Sequence, residues 1–172
     1  EVNVMGGFSV VVLMSILSFI YLFFIAIFVA VILYIIMSYT FQGISIMCMC
    51  KNMGYKNTFT AWIPFYNKYL LGKIAGNKIM GGISCILSFI AICLGTRFYI
   101  NKELEIVLFI ILVISLIITF ILDTMIAHRI YKSRANKYGD ILTVFNILSL
   151  GLLRPIFLFI IRNKKEQCSI KQ

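Results

Sequence analysis

Two ionisable side chains, Asp123 and Arg154, lie closest to the long apolar stretches of the sequence. A charge inside the hydrocarbon core of a membrane costs at least about 2.5 kcal/mol, so such residues usually have a function. Asp123 ends one apolar stretch, and we expect it near the water interface. Arg154 follows Ile141 by thirteen positions, or about 20 Å along a helix. The two side chains can pair inside the membrane only if the last apolar segment bends back.

A second candidate group is an aromatic block that follows the first apolar stretch. Its members are Trp62, Pro64, Tyr66, Asn67 and Tyr69. Trp62, Tyr66 and Tyr69 would share one helix face, because they are spaced i, i+4 and i+7. Pro64 predicts a bend, and Asn67 could cap the helix that follows it.

This aromatic block is typical of an anchor at the membrane interface. Trp and Tyr favour the headgroup level, where the ring and its polar tip are both satisfied. Lys68, Lys73 and Lys78 would then contact lipid phosphates, and each such contact contributes about 1 kcal/mol. A binding surface formed by the same aromatic residues is the alternative interpretation.

Nucleophilic chemistry is a third possibility. A membrane cysteine peptidase needs a thiolate and a nearby base. The sequence has five cysteines and one histidine, His128, and Cys48 or Cys50 is expected on the same side as His128. Nothing in the sequence orients the imidazole, and thiols with apolar neighbours ionise poorly. No metal-ligand cluster, carboxylate pair or phosphate loop is visible, so we expect no metal and no cofactor.

The composition places these residues in a membrane protein. Of 172 residues, 62% are hydrophobic and 13% are charged, whereas about 25% are charged in a soluble domain. These values exclude a soluble globular domain, a disordered chain and a coiled coil. The net charge of +10 is typical of nucleic-acid binding in soluble proteins, but in a membrane protein basic residues collect near anionic headgroups. We therefore expect lipid contacts and no nucleic acid.

The apolar pattern predicts an all-α integral membrane protein that forms a single domain over residues 1–172. We expect three to four transmembrane helices and, on the cytoplasmic side, an interfacial amphipathic helix. The spans are predicted at about residues 12–37, 77–95, 104–123 and 141–161, and the interfacial segment at 55–76. The first helix should continue to Cys50, because no charge interrupts residues 6–50. Gly81 and Gly82 indicate close helix packing.

The distribution of Lys and Arg predicts the orientation of the chain. Residues 51–78 hold five of them, residues 95–105 two, residues 123–140 four, and the tail after Ile161 four. The first and third connections should therefore be cytoplasmic and the N-terminus outside. The last segment either spans and leaves a basic tail outside, or bends at 151–155 and returns. We expect four spans, because late segments follow the rule least strictly.

The aromatic block resembles a signature of an uncharacterised family of small bacterial multipass membrane proteins. That signature, W-x-P-x-x-N-x-Y-x-L-x-K-I-x-G after the first helix, is matched by residues 62–76. The resemblance extends over about residues 38–160, and Arg154 stands where an apolar residue is more usual before the proline. It implies a multipass architecture. The Ile-, Phe-, Lys- and Asn-rich composition suggests the AT-rich genome of a low-GC Gram-positive bacterium, and we expect the protein in a bacterial plasma membrane. The resemblance implies no activity.

The sequence thus favours a non-enzymatic membrane protein, an accessory or structural subunit that packs against itself or against a larger membrane partner. Its apolar segments leave little chain for a soluble catalytic domain. The first alternative is a subunit of a small oligomeric transporter or channel. Its path would be lined by polar residues spaced i, i+4 on two helices, namely Ser84, Ser88, Ser115, Thr119 and Asp123. The second alternative is the cysteine peptidase.

Overall fold

The computed structural model describes residues 2–100 and 106–164, and the side chains of 10–97, 106–135 and 137–164. In these ranges every regular element is a helix. The α-helices are α1 (Val2–Asn52), α2 (Tyr66–Ile74), α3 (Lys78–Ile100), α4 (Ile106–Ala135), α5 (Gly139–Leu148) and α6 (Arg154–Ile161). Two short 3-10 helices are Thr58–Trp62 and Asn136–Tyr138. The chain divides into two compact units, Glu1–Tyr39 and Thr40–Gln172.

Three helices are long and apolar enough to cross a membrane. They are Val10–Asn52, Lys78–Arg97 and Ile106–Ala135. The all-helical fold and three of the predicted apolar helices are therefore confirmed. Two of these helices run further than the apolar pattern indicated. The predicted loop at Gly95 is helical to Ile100, and α4 continues past Asp123 to Ala135.

The first unit is the N-terminal part of α1. Every side chain of residues 10–37 is exposed, and nearly all of them are apolar. The hydroxyl of Ser15 donates to the carbonyl of Val11 at 2.9 Å, so this polar group is satisfied within the helix. The unit therefore presents an apolar surface on all its faces.

The second unit packs around one core. Its buried apolar side chains come mainly from the end of α1 and from α2, α4 and α6. They include Ile46, Met49, Cys50, Leu70, Leu71, Ile74, Ile126, Ala127, Ile130, Tyr131, Leu158 and Ile161. The last turns of α1 are therefore a packing element of this unit, although the sequence indicates one uniform apolar helix.

Helices α2 and α3 approach each other through glycine. A Cβ atom added to Gly81 would lie 2.8 Å from the Cα atom of Gly72 and 2.9 Å from the carbonyl oxygen of Tyr69. A Cβ atom on Gly82 would meet nothing within 4 Å. Of the two glycines that indicated helix packing, Gly81 alone lies in the contact.

The segment between α1 and α3 turns back at Pro64 and Phe65. Before the turn, the ring of Trp62 lies against α1, where a Cβ atom on Gly43 would be 3.2 Å from Trp62 Cε3. Phe65 has a positive φ of 66°, which an L residue adopts at a cost of about 1–2 kcal/mol. A right-handed helix cannot pass through such a residue, so a new helix, α2, begins after it.

The last apolar segment is also broken. Helix α5 ends in a turn where Leu150 has φ 52° and Gly151 has φ 83°. The Gly151 N–H donates to the Asn146 carbonyl at 2.8 Å and the Leu150 N–H to the Ile147 carbonyl at 2.9 Å. This pair of hydrogen bonds is the Schellman arrangement that ends helices. The chain therefore reverses before α6 begins.

Helices α5 and α6 form a hairpin along α4. Gly139, at the start of α5, packs on the backbone of Lys132, and Gly151 in the turn approaches Phe120. Helix α5, the first half of the hairpin, thus runs back along α4, away from the C-terminal end of α4. The prediction of one continuous helix at 141–161 is wrong, because left-handed residues at the turn interrupt it.

The returning half of the hairpin ends where α4 ends. The rings of Phe157 and Tyr131 are 6.1 Å apart, edge to face. Further along, the Arg134 guanidinium donates to the carbonyl of Lys164 at 2.8 Å. The basic tail therefore begins beside the C-terminal end of α4, as the bent alternative required.

The glycine contact gives a prediction with a matched control. We expect Gly81→Ala to lower the stability of the protein by about 1–3 kcal/mol, because the added methyl group forces two helix backbones apart. Gly82→Ala should leave stability unchanged or raise it by up to about 1 kcal/mol, since alanine is the better helix former. Thermal unfolding of both variants in detergent measures the difference. Equal stabilities would contradict the close α2–α3 contact.

Candidate functional site

Asp123 is the centre of a cluster of charged and hydroxyl side chains from four helices. Its side chain is only 10% exposed. Lys68 Nζ from α2 and Arg154 Nη1 from α6 each lie 2.9 Å from Asp123 Oδ2. The hydroxyl of Ser84 from α3 donates to Oδ1 at 2.5 Å. Both oxygens of the carboxylate are therefore engaged.

The ammonium group of Lys68 extends this cluster towards α3. It donates to Ser88 Oγ at 2.7 Å, and Ser88 donates in turn to the carbonyl oxygen of Ser84 at 2.7 Å. The Lys68 side chain is 23% exposed. Lys68 was expected to contact lipid phosphate, but its ammonium group faces Asp123 instead, because the reversal before α2 directs the helix start towards α4.

Both cations stand at the beginning of a helix that follows a chain reversal. Lys68 is in the first turn of α2, and Arg154 is the first residue of α6. A helix start carries a partial positive charge, which favours a carboxylate and disfavours a cation. Asp123 therefore offsets two cations and two helix ends. Phe65, directly before α2, has a positive φ, and so does Leu150 in the turn that leads to α6.

The cluster leaves little free space beside it. A cavity of about 10 Å³ adjoins it, lined by Lys68, Asp123, Arg154 and apolar side chains. Such a volume holds about one water molecule. The cluster can hold charges in fixed positions, but it offers no room for an organic substrate.

Helices α3 and α4 meet along a seam of small polar side chains. Ser115 donates to the carbonyl of Leu87 on α3 at 3.3 Å, and Ser84 bonds Asp123 on α4. Thr119 lies between Ser115 and Asp123 on α4. It is buried, and its hydroxyl oxygen has no hydrogen-bond partner. These residues were predicted to line a path or to bond between helices. Their burial and cross-helix hydrogen bonds match the second role.

The aromatic block does not form the single helical face that its spacing predicted. The break at Pro64 places Trp62 before the turn, half-buried on α1, while Tyr66, Asn67 and Tyr69 belong to α2. Tyr66 and Tyr69 remain neighbours, with ring centroids 5.4 Å apart. The predicted face fails because the chain between Trp62 and Tyr66 is not helical.

Two other residues of the block also differ from expectation. Asn67 does not cap α2, because Phe65 holds the cap position without a side-chain hydrogen bond; Asn67 is instead buried inside the helix. Lys73 Nζ lies 3.9 Å from the centre of the Tyr55 ring, a distance at which a cation and a π-system attract. Lys73 therefore has a partner within the chain.

The polar partners of the histidine are residues of α5. His128 Nδ1 is 2.9 Å from the hydroxyl of Thr143 and 3.9 Å from an oxygen of Asp140. In the described part of the chain, no hydrogen bond or ion pair joins His128 to Cys48 or Cys50, and no three metal-binding side chains cluster. The geometry therefore gives the peptidase hypothesis no support.

Sequence reasoning found Asp123 and Arg154 but missed Lys68 and Ser84 as partners of the carboxylate. Asp123 and Arg154 were expected to pair only if the last apolar segment bent back, and the structure has that bend. One signal could have identified Lys68. It follows a proline break closely, and a broken segment can carry a charge towards the middle of a helical unit.

The cluster predicts that removal of its one anion lowers stability more than removal of either cation. Asp123→Asn should lower stability by about 3 kcal/mol or more, because it leaves two largely buried cations without their anion. Lys68→Met and Arg154→Met should each cost clearly less, since one cation remains on the carboxylate in either variant. Thermal unfolding of the three variants in detergent gives the order. A variant of either cation that is less stable than Asp123→Asn would contradict this arrangement.

Comparison with protein-family models, with curated proteins and with solved structures finds no match in any of the three. The family resemblance of residues 62–76 therefore stays a prediction. What the chain does has to be argued from its own charges, burial and geometry.

Proposed function

We propose that this chain is a non-enzymatic integral membrane protein that serves as an accessory or structural subunit of a membrane complex. Its partner is a second copy or a larger membrane protein. Three helices of sufficient length and hydropathy support insertion into a membrane. The resemblance to bacterial multipass proteins favours the plasma membrane of a bacterium as its location.

One observation carries this proposal. Every side chain of residues 10–37 is exposed. This exposed helical stretch is longer than the about 20 residues that a helix needs to cross a bilayer. The side chains on this surface include Phe19, Phe23 and Phe28, which are 72%, 57% and 66% exposed. An apolar helix whose side chains are exposed on all faces has a free surface for another membrane helix.

The second unit supports a structural rather than a catalytic role. Its buried carboxylate, Asp123, has both oxygens bonded within the chain, and the adjoining cavity holds no more than about one water molecule. A catalytic or transport site needs groups that a substrate can reach. The charges in this unit instead hold its helices together.

The ends of the helices support an orientation with the N-terminus outside. Asn52, at the end of α1, donates to the carbonyl of Arg162 at 3.4 Å, and Arg134, near the end of α4, bonds Lys164. The basic connections and the returning tail thus gather at one end of the second unit. We place that end in the cytoplasm, beside anionic headgroups.

Photo-crosslinking tests the proposed subunit role. A benzophenone amino acid replaces Phe19 or Phe28 in turn, which lie nine residues apart and so on opposite faces of the helix. In native membranes we expect one position to give a discrete protein adduct and the other to give lipid adducts only. The unreactive face is then the matched control. Lipid adducts at both positions, together with a monomer in mild detergent, would refute the proposal.

A second candidate function, a subunit of a small oligomeric transporter or channel, is favoured by one specific observation. Helices α2 and α6 each follow a chain reversal, and each begins beside Asp123 on α4. Broken helices that point their ends at a charged residue occur at the binding sites of many transporters. The buried Thr119 hydroxyl, which has no hydrogen-bond partner, lies on the same helix.

Flux through proteoliposomes separates the two candidates. A transporter or channel should conduct ions in a way that Asp123→Asn abolishes and that Lys78→Gln, a change at an exposed lysine, preserves. The accessory role predicts no flux from the wild-type chain alone. Conduction that depends on Asp123 would therefore replace our proposal with the second candidate.

A further inference from the structure

We propose that the Asp123 cluster binds a small monatomic anion of the size of chloride, held by Lys68 and Arg154. This inference goes beyond the proposed subunit role and does not depend on it. It starts from the charge of the cluster, which contains two cations and one carboxylate and therefore carries one positive charge in excess.

No other carboxylate in the described residues offsets that charge. Within residues 2–100 and 106–164, the second carboxylate is Asp140, whose side chain is 75% exposed and lies near His128. The side chains of Lys68 and Arg154 are only 23% and 13% exposed. An uncompensated charge at such depth is costly, so an additional anion would stabilise the cluster.

The hydrogen-bonding groups that remain are donors. Arg154 Nε is buried and has no partner. The Lys68 ammonium has three donors, and the contacts to Asp123 and Ser88 account for two of them. The acceptors of the site, both oxygens of Asp123, are already engaged. An unoccupied donor set with a net positive charge selects an anion and repels a metal cation.

The cavity sets the size of this anion. It adjoins Lys68, Asp123 and Arg154, and its volume is about 10 Å³. This space is comparable to one water molecule, so it excludes phosphate and organic acids. A chloride ion is somewhat larger than water, and it fits when the Lys68 side chain, which is 23% exposed, moves outward. A water molecule would also fit, but it would leave the excess charge unbalanced. The difference between these two occupants is measurable.

Anion-specific stability of the purified full-length chain in detergent is the test. We compare thermal unfolding in sodium chloride with that in sodium gluconate at the same ionic strength. Bound chloride should raise the unfolding midpoint by at least about 3 °C, in a saturable manner. Bromide should act like chloride, and sodium phosphate like gluconate. Equal midpoints in chloride and gluconate would overturn the proposal and leave water as the occupant.

Variants of the two cations locate the effect. Lys68→Met and Arg154→Met each remove the excess charge, so the difference between chloride and gluconate should disappear. Lys73→Met is the matched control, because Lys73 lies on the same helix with its ammonium on Tyr55. It should keep the full difference. A chloride effect of the same size in all three variants would place the ion elsewhere and overturn the proposal.

A measurement on the wild-type chain covers the case in which these variants do not fold. Exchange of chloride at a protein site broadens its ³⁵Cl resonance. We expect broadening by the wild-type protein that added bromide reverses and added gluconate does not. The absence of such broadening would overturn the proposal.

Discussion

A single buried carboxylate connects the parts of the second unit. Asp123 on α4 is bonded by Lys68 from α2, Ser84 from α3 and Arg154 from α6. Each cation reaches Asp123 from a segment that reverses direction just before it. The ion pairs and the chain reversals therefore require each other, because straight segments would carry the cations past α4 and leave the carboxylate unpaired.

The distribution of polarity follows from this arrangement. The polar side chains around Asp123 turn inward and bond one another across helices, while residues 10–37 expose apolar side chains on all faces. Residues 10–37 lose little by lying in lipid, because their exposed side chains are nearly all apolar and their backbone groups are bonded within the helix. The same arrangement leaves an excess positive charge inside the unit, where an anion can balance it.

The sequence predicts the long helices because apolar runs without charges or breaks have one favourable structure in a membrane. It predicts the reversals poorly. Gly151 is a visible signal, but Phe65 and Leu150 have positive φ, which residues of their type rarely adopt. Such strain persists where surrounding contacts determine the backbone, and those contacts are long-range. Local patterns could not show them.

The candidate site was predictable only in part, because some of its contacts are also long-range. Asp123 and Arg154 stand out because a charge beside an apolar run is costly, and their pairing followed once the last segment bent. Lys68 did not stand out, because a lysine among aromatic residues is typical of an interface anchor. Gly72 was likewise not identified as the partner of Gly81, because the approach of two helix backbones depends on the turn that joins them.

A double-mutant cycle on Asp123 and Arg154 tests the central claim most directly. The free energies of unfolding of wild type, Asp123→Asn, Arg154→Met and the double variant are measured in the same detergent. If the two side chains are paired, the double variant should lose at least about 1 kcal/mol less than the sum of the single losses. Additive losses would show that the carboxylate and the guanidinium do not interact, and would contradict this account of the fold.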